Sequence, residues 1–317
     1  MYFSRVRFQP EIHTRTQLIK IITHKPYELH RLLWDLFPAD NSRQFLYREE
    51  VAREQLGIRS EVKGESIYYI ISRNPPNQDN PLFKVDIKEY KPQLEMGNLL
   101  TFKLRANPVI THSLDRENPE QYLKARNQRN VEDPSKLTKR RVRHNVVVHA
   151  QRLFLIELCT QFKIMNDVHP RMKKSELKRI LLNNGGEALD EYLASIITFN
   201  GIDSDLKSQF LSINNKLDRA LILQSDQALE KWIETQGQRY GFKICVDRFN
   251  EKKLHYSGHR WNNLSEKYRG RGRAGFDSVD FSGELEIIDP DLFTNALFAG
   301  IGPAKAFGCG MLMIRRV

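Results

Sequence analysis

Cysteine is scarce: the 317 residues contain three, Cys159, Cys245 and Cys309, far apart along the chain. None belongs to a CxxC pair or to a Cys/His spacing of the zinc-site kind, so neither a disulfide framework nor a structural zinc is expected, and a reducing cytoplasm fits. Long apolar runs are lacking too. "MYFSRVRFQP" puts two arginines where a signal peptide would have its apolar segment, and no run approaches membrane-spanning length, so a cytoplasmic protein without membrane attachment is expected. No carboxylate pair, metal-ligand cluster or Ser-His-Asp arrangement stands out, which leaves no metal and no cofactor to expect. Glycine totals 17, yet four fall in "GIGPAKAFGCGML", at Gly300, Gly302, Gly308 and Gly310. A Walker loop needs Lys directly after its last glycine and then a helix, whereas Lys305 precedes Gly308 and only a short tail follows. A dinucleotide fingerprint starting at Gly300 would need its third glycine where Lys305 stands, and it also lacks its helix. What remains is a loop that leaves a helix, turns on glycines around one cation and feeds a final strand.

Acid is in deficit: 39 Asp and Glu stand against 50 Lys and Arg, a formal charge of +11. A polyanionic partner is therefore implied, nucleic acid first and a membrane surface well behind, because no basic amphipathic anchor is present. An ordinary basic enzyme is the alternative. The length suffices for two modest domains, or for one with large insertions.

Periodicity sets the architecture. "YFSRVRF" reads as a strand and "PYELHRLLWDLF" as a helix with Pro26 in its first turn. "QFLYR", "SIYYIIS" and the alternating "LFKVDIKEY" are further strands, giving a ferredoxin-like sheet whose second helix is reduced or missing. A second set follows: strand "LLTFKLRANPV", helix "SDQALEKWIETQG" with Ser225 and Asp226 as a cap and Gly237 as a stop, strands "FKICVDRF" and "FDSVDFSGELEII", helix "PDLFTNALFAG", strand "MLMIRRV". The order β, α, β, β, α, β is that of the ferredoxin-like unit, whose open sheet face binds RNA in RRM domains. The fold class expected is α+β, two ferredoxin-like (RRM-like) domains in tandem at residues 1–97 and 98–317, with a helical insertion in the second at about 149–224. Within that insertion "SELKRILLNNGGEALDEYLASIITF" has the outline of a helix-turn-helix, but two amphipathic helices joined by a glycine pair are ordinarily plain packing, and docking onto a partner protein is preferred.

Two groups of residues carry candidate chemistry. Projected at 100° per residue, Leu29, Leu32, Leu33 and Leu36 form one stripe, while Tyr27, His30 and Trp34 cluster opposite it, turned away from the sheet. Tyr27 and His30, three apart, can act on one bound group; alternatively they pack under the second domain or sit at the surface. The other group is basic. Lys124, Arg126, Arg129, Lys136, Lys139, Arg140, Arg141 and Arg143 precede the helical block, and Lys267, Arg269, Arg271 and Arg273 surround Tyr268 in "EKYRGRGRAGF". Such runs bind phosphate with steep salt dependence, or are simply solvated faces. RNA supplies its own nucleophile, the 2′-hydroxyl beside each phosphate. One His near an ordinary pKa of about 6.5 can move the proton required, a Tyr can orient the group, and no metal is needed.

Several stretches together resemble the CRISPR-associated RAMP endoribonucleases, specifically the CasE-type crRNA-processing subunits of type I-E Cascade. "GIGPAKAFGCGML" matches the family's glycine-rich signature G-x-G-x5-G-x-G, "FKLRANP" at 102–108 its mid-chain signature, and "YELHRLLWDLFP" followed by "FLYR" its first helix and next strand. The resemblance spans the chain except for the helical block. It implies two ferredoxin-like domains and metal-free cleavage of precursor CRISPR RNA at the base of a repeat hairpin, leaving a 5′-hydroxyl and a 2′,3′-cyclic phosphate. The hairpin crRNA and other Cascade subunits, notably the backbone RAMP subunit, are the implied partners. His30 becomes the proton-transfer residue and Tyr27 its helper. The basic segments grip the stem, and the glycine loop with Lys305 lies against RNA or supports the active-site helix. The helical block departs from compact members and is expected to dock a neighbouring subunit or another effector. Two rivals stand beside this reading: a subunit that holds the hairpin without cutting it, and a helical adaptor for DNA.

Overall fold

A computed structural model describes residues 1–9, 26–51, 66–116, 139–165, 172–199, 212–264 and 275–317. The chain divides into two compact units, residues 1–108 with 234–317, and residues 109–233.

The first unit begins with β1 (Tyr2–Phe8), α1 (Pro26–Trp34), β2 (Phe45–Val51), β3 (Ser66–Ser72) and β4 (Phe83–Glu89). Their antiparallel sheet runs β2-β3-β1-β4, with Val6 opposite both Tyr68 and Val85. This is the ferredoxin-like order, without a helix between β3 and β4. The alternation read from "FKVDIKE" has its cause here: Phe83 and Val85 join Val6, Phe8, Tyr68 and Ile70 beneath Leu29 and Leu33 of α1 and Leu36 just after it. Each fully buried leucine of that stripe is worth about 1.5–3 kcal/mol of transfer free energy.

The second sheet contains β5 (Leu99–Ala106), β8 (Phe242–Ile244), β10 (Gly275–Ile287) and β11 (Leu312–Arg316) in the order β11-β5-β10-β8, and β9 (Leu254–Asn263) also pairs β10. Strand by strand this repeats the order of the first sheet. α6 (Pro290–Ala299) starts on Asp289, whose carboxylate accepts from the amides of Asp291 and Leu292, and ends at Gly300 as its sequence implies. The opposite face of the first sheet is not open: Leu46 and Ile71 are buried with Met311, and Phe298 packs on them.

The second unit holds the ribbon β6 (Val109–Asp115) and β7 (Lys139–Asn145), then α2 (Val146–Gln161), α3 (Lys174–Asn184), α4 (Gly186–Phe199) and most of α5 (Ile213–Tyr240). The helices enclose Leu155, Leu158, Leu177, Leu181, Leu189, Leu193 and Leu217. Both helices of the helix-turn-helix outline thus spend their apolar faces on packing. α4 bears Glu187, Asp190 and Glu191 and no Lys or Arg, which is a poor surface for phosphate.

Three local expectations need correction. α5 is continuous across Ser225, whose hydroxyl donates to the Leu221 carbonyl in mid-helix at 2.7 Å and so is no cap. Gly237 does not stop the helix, which runs on to Tyr240; a Cβ there would come within 2.4 Å of the Phe242 carbonyl, so close approach selects this glycine. The strand expected over "FKICVDRF" is only Phe242–Ile244, and β9, whose exposed side chains hide its alternation, is an additional strand.

Candidate nucleic-acid site

α1 presents His30 differently from the helical projection. The ring is 8% exposed, with centroids 5.4 Å from Trp34, 5.9 Å from Phe45 and 6.5 Å from Phe307. Its Nδ1 is sealed from solvent. The expectation that His30 and Trp34 turn away from the sheet is therefore wrong, because Phe45 is a core residue of β2 and Trp34 packs against the same cluster. The reason is geometric: His30 lies roughly 60° from Leu33 around the helix, on the flank of the leucine stripe, and that flank is covered by another part of the chain. Tyr27, one turn earlier, is half-buried.

The cover is the glycine loop. Gly300, Gly302, Gly308 and Gly310 have φ of 76°, 77°, 78° and 87°. At Gly308 a Cβ would stand 3.1 Å from the Tyr47 ring, and at Gly300 it would stand 3.0 Å from Leu46, so positive φ and close approach to β2 together select glycine. The loop closes on itself, Ile301 N donating to Gly310 O at 2.8 Å, and is tied to β5 by Gly310 N to Arg105 O at 2.7 Å. Its short 3₁₀ turn, Lys305–Phe307, packs on α1 and β2. There Phe307 meets the His30 ring on one side and stacks on Phe276 at 5.5 Å on the other. Tyr47, buried beneath the turn, donates to Ala306 O at 3.4 Å, and burial pushes its phenol far above the ordinary value. Lys305 points elsewhere, its amine donating to Ala299 O at 2.7 Å.

Behind this wall lies an ion network that sequence reasoning missed. Asp280 of β10 stands opposite Arg105 of β5 in register and is 3.1 Å from its Nε. Asp280 also accepts from Arg48 of β2 at 3.1 Å, and Arg48, 5% exposed, reaches Glu50 as well. One carboxylate thereby links the two sheets.

Lys139, Arg140, Arg141 and Arg143 lie on β7 and are all exposed. Lys139, Arg141 and Arg143 alternate onto one face of the two-stranded ribbon, a shape that a nucleic-acid groove admits. The other face carries a histidine trio also absent from the sequence reading: His112, His144 and His149 of α2, with ring centroids 5.1–5.5 Å apart. Among the described residues no group of three or more His, Cys, Asp or Glu side chains is arranged to hold a metal ion. Burial, then the two neighbouring imidazoles and Arg152, lower the pKa of His149. A depressed His pKa means that the unfolded chain binds the proton first. The contribution of His149 is then complete above the ordinary imidazole value of about 6.5 and is lost as pH falls through it toward the folded value. Urea midpoints at pH 7.5 and 5.5 are expected to diverge more in the native protein than in His149→Asn; equal divergence would show that His149 does not titrate with folding.

Lys124, Arg126, Arg129, Lys136, Lys267, Arg269, Arg271 and Arg273 lie outside the described residues. The outer face of the second sheet does not resemble an RRM platform. Its groove is lined by Lys103, Lys252, Lys253, His255 and Arg315 but also by Asp247, Glu251 and Glu284, and Phe102 is buried beneath it. Among the described residues its lining has no exposed Phe, Tyr or Trp ring, so it lacks the base platform of an RRM.

Two antiparallel sheets of ferredoxin-like order, in tandem and bridged through a glycine loop, define a tandem ferredoxin-like protein with a helical insertion. The chain belongs to the CRISPR associated protein family, whose model matches residues 1–316. A solved structure of CRISPR endoribonuclease Cse3 bound to a 19-nucleotide RNA is similar, with 16% identity, 99% of this chain and 100% of that one covered, and a TM-score of 0.51. Thermus thermophilus Cse3 bound to an RNA representing a pre-cleavage complex gives 16% identity, coverage of 99% and 98%, and a TM-score of 0.50. None of the curated proteins compared matches the sequence. No helix among the described residues is long and apolar enough to cross a membrane.

Proposed function

We propose that this protein is a metal-independent endoribonuclease that cleaves CRISPR repeat RNA at the base of its hairpin and stays bound to the mature crRNA within Cascade. The observation that carries the reading is the placement of His30: in a member of this family, the family's glycine loop holds an aromatic ring against the one imidazole of the first helix. The RNA bound in the two Cse3 structures supports an RNA ligand. In the reaction the scissile 2′-hydroxyl loses its proton to solvent and O2′ bonds to phosphorus. The P–O5′ bond breaks, and His30 delivers a proton to the departing 5′-oxygen. With Nδ1 sealed, that proton is assigned to Nε2, while Tyr27 orients the hydroxyl or phosphate. The products are a 2′,3′-cyclic phosphate and a 5′-hydroxyl. Residues 1–97 supply the catalytic helix and 98–317 the loop and the stem grip. Lys139, Arg140, Arg141, Arg143, Arg269, Arg271 and Arg273 hold the stem, Lys305 and the four glycines line the RNA path or brace α1, and the block at 149–224 docks a neighbouring subunit.

The 8% exposure of His30 favours one alternative, a subunit that only holds the hairpin. Incubation with a repeat hairpin in excess chelator separates the two. Cutting should continue, with the product hairpin co-eluting with the protein; intact RNA on the same column would leave only the holding role.

A further inference from the structure

A recess of about 450 Å³ opens between the residues preceding β2 and the last turn of α6, with Arg43, Gln44, Arg73, Asn295 and Phe298 in its lining. Among the described residues no Asp or Glu lines it. Elsewhere in this unit arginines face carboxylates, as Arg5 faces Asp86 and Arg105 faces Asp280. Arg43 and Arg73 have no such partner among the described residues, and Nη1 of Arg43 is buried with no hydrogen bond. A third cation stands at the rim, since Lys305 is held there by Ala299 O. Burial lowers the pKa of Lys305, and the charges of Arg43 and Arg239 lower it further, so these cations repel one another. The half-buried Arg43, with one nitrogen sealed and unpaired, is costly unless an anion completes it, and the guanidinium fork suits a phosphate oxygen pair to which the exposed Arg73 can also reach.

Size and lining restrict the occupant. The volume admits one nucleotide and not a duplex. The amides of Gln44 and Asn295 and the half-buried Phe298 ring offer hydrogen bonds and an apolar surface beside the phosphate. Phe45 lines the recess and also packs against His30 at 5.9 Å, so the recess adjoins the catalytic wall.

We propose that this recess is a phosphate subsite for an unpaired nucleotide of the RNA flanking the hairpin, with Arg43 and Arg73 as its ligands and Lys305 at its rim. The assignment rests on the RNA-processing reading, but its readout is binding rather than cutting. Dissociation constants are measured across a salt series for a repeat hairpin with and without its single-stranded flanks, using the native protein and Arg43→Gln/Arg73→Gln. The double variant should bind the flanked RNA on the order of tenfold more weakly, with a salt slope shallower by about 0.7, the value of one single-strand phosphate, and should bind the bare hairpin unchanged. Equal weakening of both RNAs, or of neither, overturns the proposal. Against the chance that the variant misfolds, methylphosphonate is placed at each flanking linkage in turn and tested with the native protein. One linkage should lose about tenfold, and a uniform response contradicts the subsite. Pyrophosphate supplies the remaining arm: a thermal shift that flanked RNA does not displace would make this a free-anion site and overturn the RNA assignment. A protein that binds the flank without cutting refutes the nuclease reading alone, and one that cuts but ignores the flank refutes the subsite alone.

Discussion

Substituting His30 by Ala is expected to reduce single-turnover cleavage of the repeat hairpin by about 10²–10⁴-fold while leaving hairpin affinity within about twofold. The size follows from losing the only proton carrier assigned to the leaving oxygen; the unchanged affinity follows because stem binding is assigned to β7 and the other basic segments. The ring also fills space between Trp34, Phe45 and Phe307, so truncation leaves a gap in an aromatic wall. His30→Gln, which keeps most of the volume, separates the roles: it should melt near the native protein and still fail to cut. Tyr27→Phe removes an orienting hydroxyl alone, and its loss should be smaller, about tenfold. Gel-based cleavage and filter binding on the same preparations decide the matter. A His30→Gln protein that cuts normally would make the ring structural.

The largest stability effect is expected at Asp280. Replacing it with Ala leaves Arg48, 5% exposed, with Glu50 alone, and removes the in-register partner of Arg105. Breaking a fully buried pair costs about 3–5 kcal/mol. Asp280 retains 30% exposure, so water recovers part of this and about 2–3 kcal/mol is expected. That corresponds to a fall in thermal midpoint of roughly 5–10 °C. The loop is tied to Arg105 through Gly310, so cleavage should weaken at temperatures well below unfolding. A double-mutant cycle with Arg48→Met measures the coupling. Additive losses would mean that the two side chains stand near one another without interacting.

The strands were legible wherever one face meets the core and the other meets water. Leu100, Phe102 and Leu104 are buried, and Thr101, Lys103 and Arg105 are not, so period two survives in the spelling. β9 was missed because both of its faces are largely exposed, and the β6–β7 ribbon for a similar reason. Ser225 and Gly237 misled because the same residue types serve inside a long helix for hydrogen bonding and close packing. At the site, the structure brings the segment of Tyr27 and His30 together with the glycine loop, but a helical projection records only which side of a helix is apolar. It holds no information about Phe307, 277 residues on from His30, arriving to cover the flank. Asp280 and Arg48 are 232 residues apart, and neither lies in a local pattern that announces the other.

The claim on which the rest depends is that the RNA's own 2′-oxygen breaks the strand, assisted by protein side chains alone. It is tested by offering the native protein, in excess chelator, a hairpin carrying a single 2′-deoxy at the scissile nucleotide beside the all-ribose RNA, with the product ends identified by mass. The all-ribose RNA should be cut to a 2′,3′-cyclic phosphate and a 5′-hydroxyl, and the deoxy RNA should be bound equally well and remain whole. Equal cutting of both, or a 5′-phosphate on the product, would contradict the mechanism.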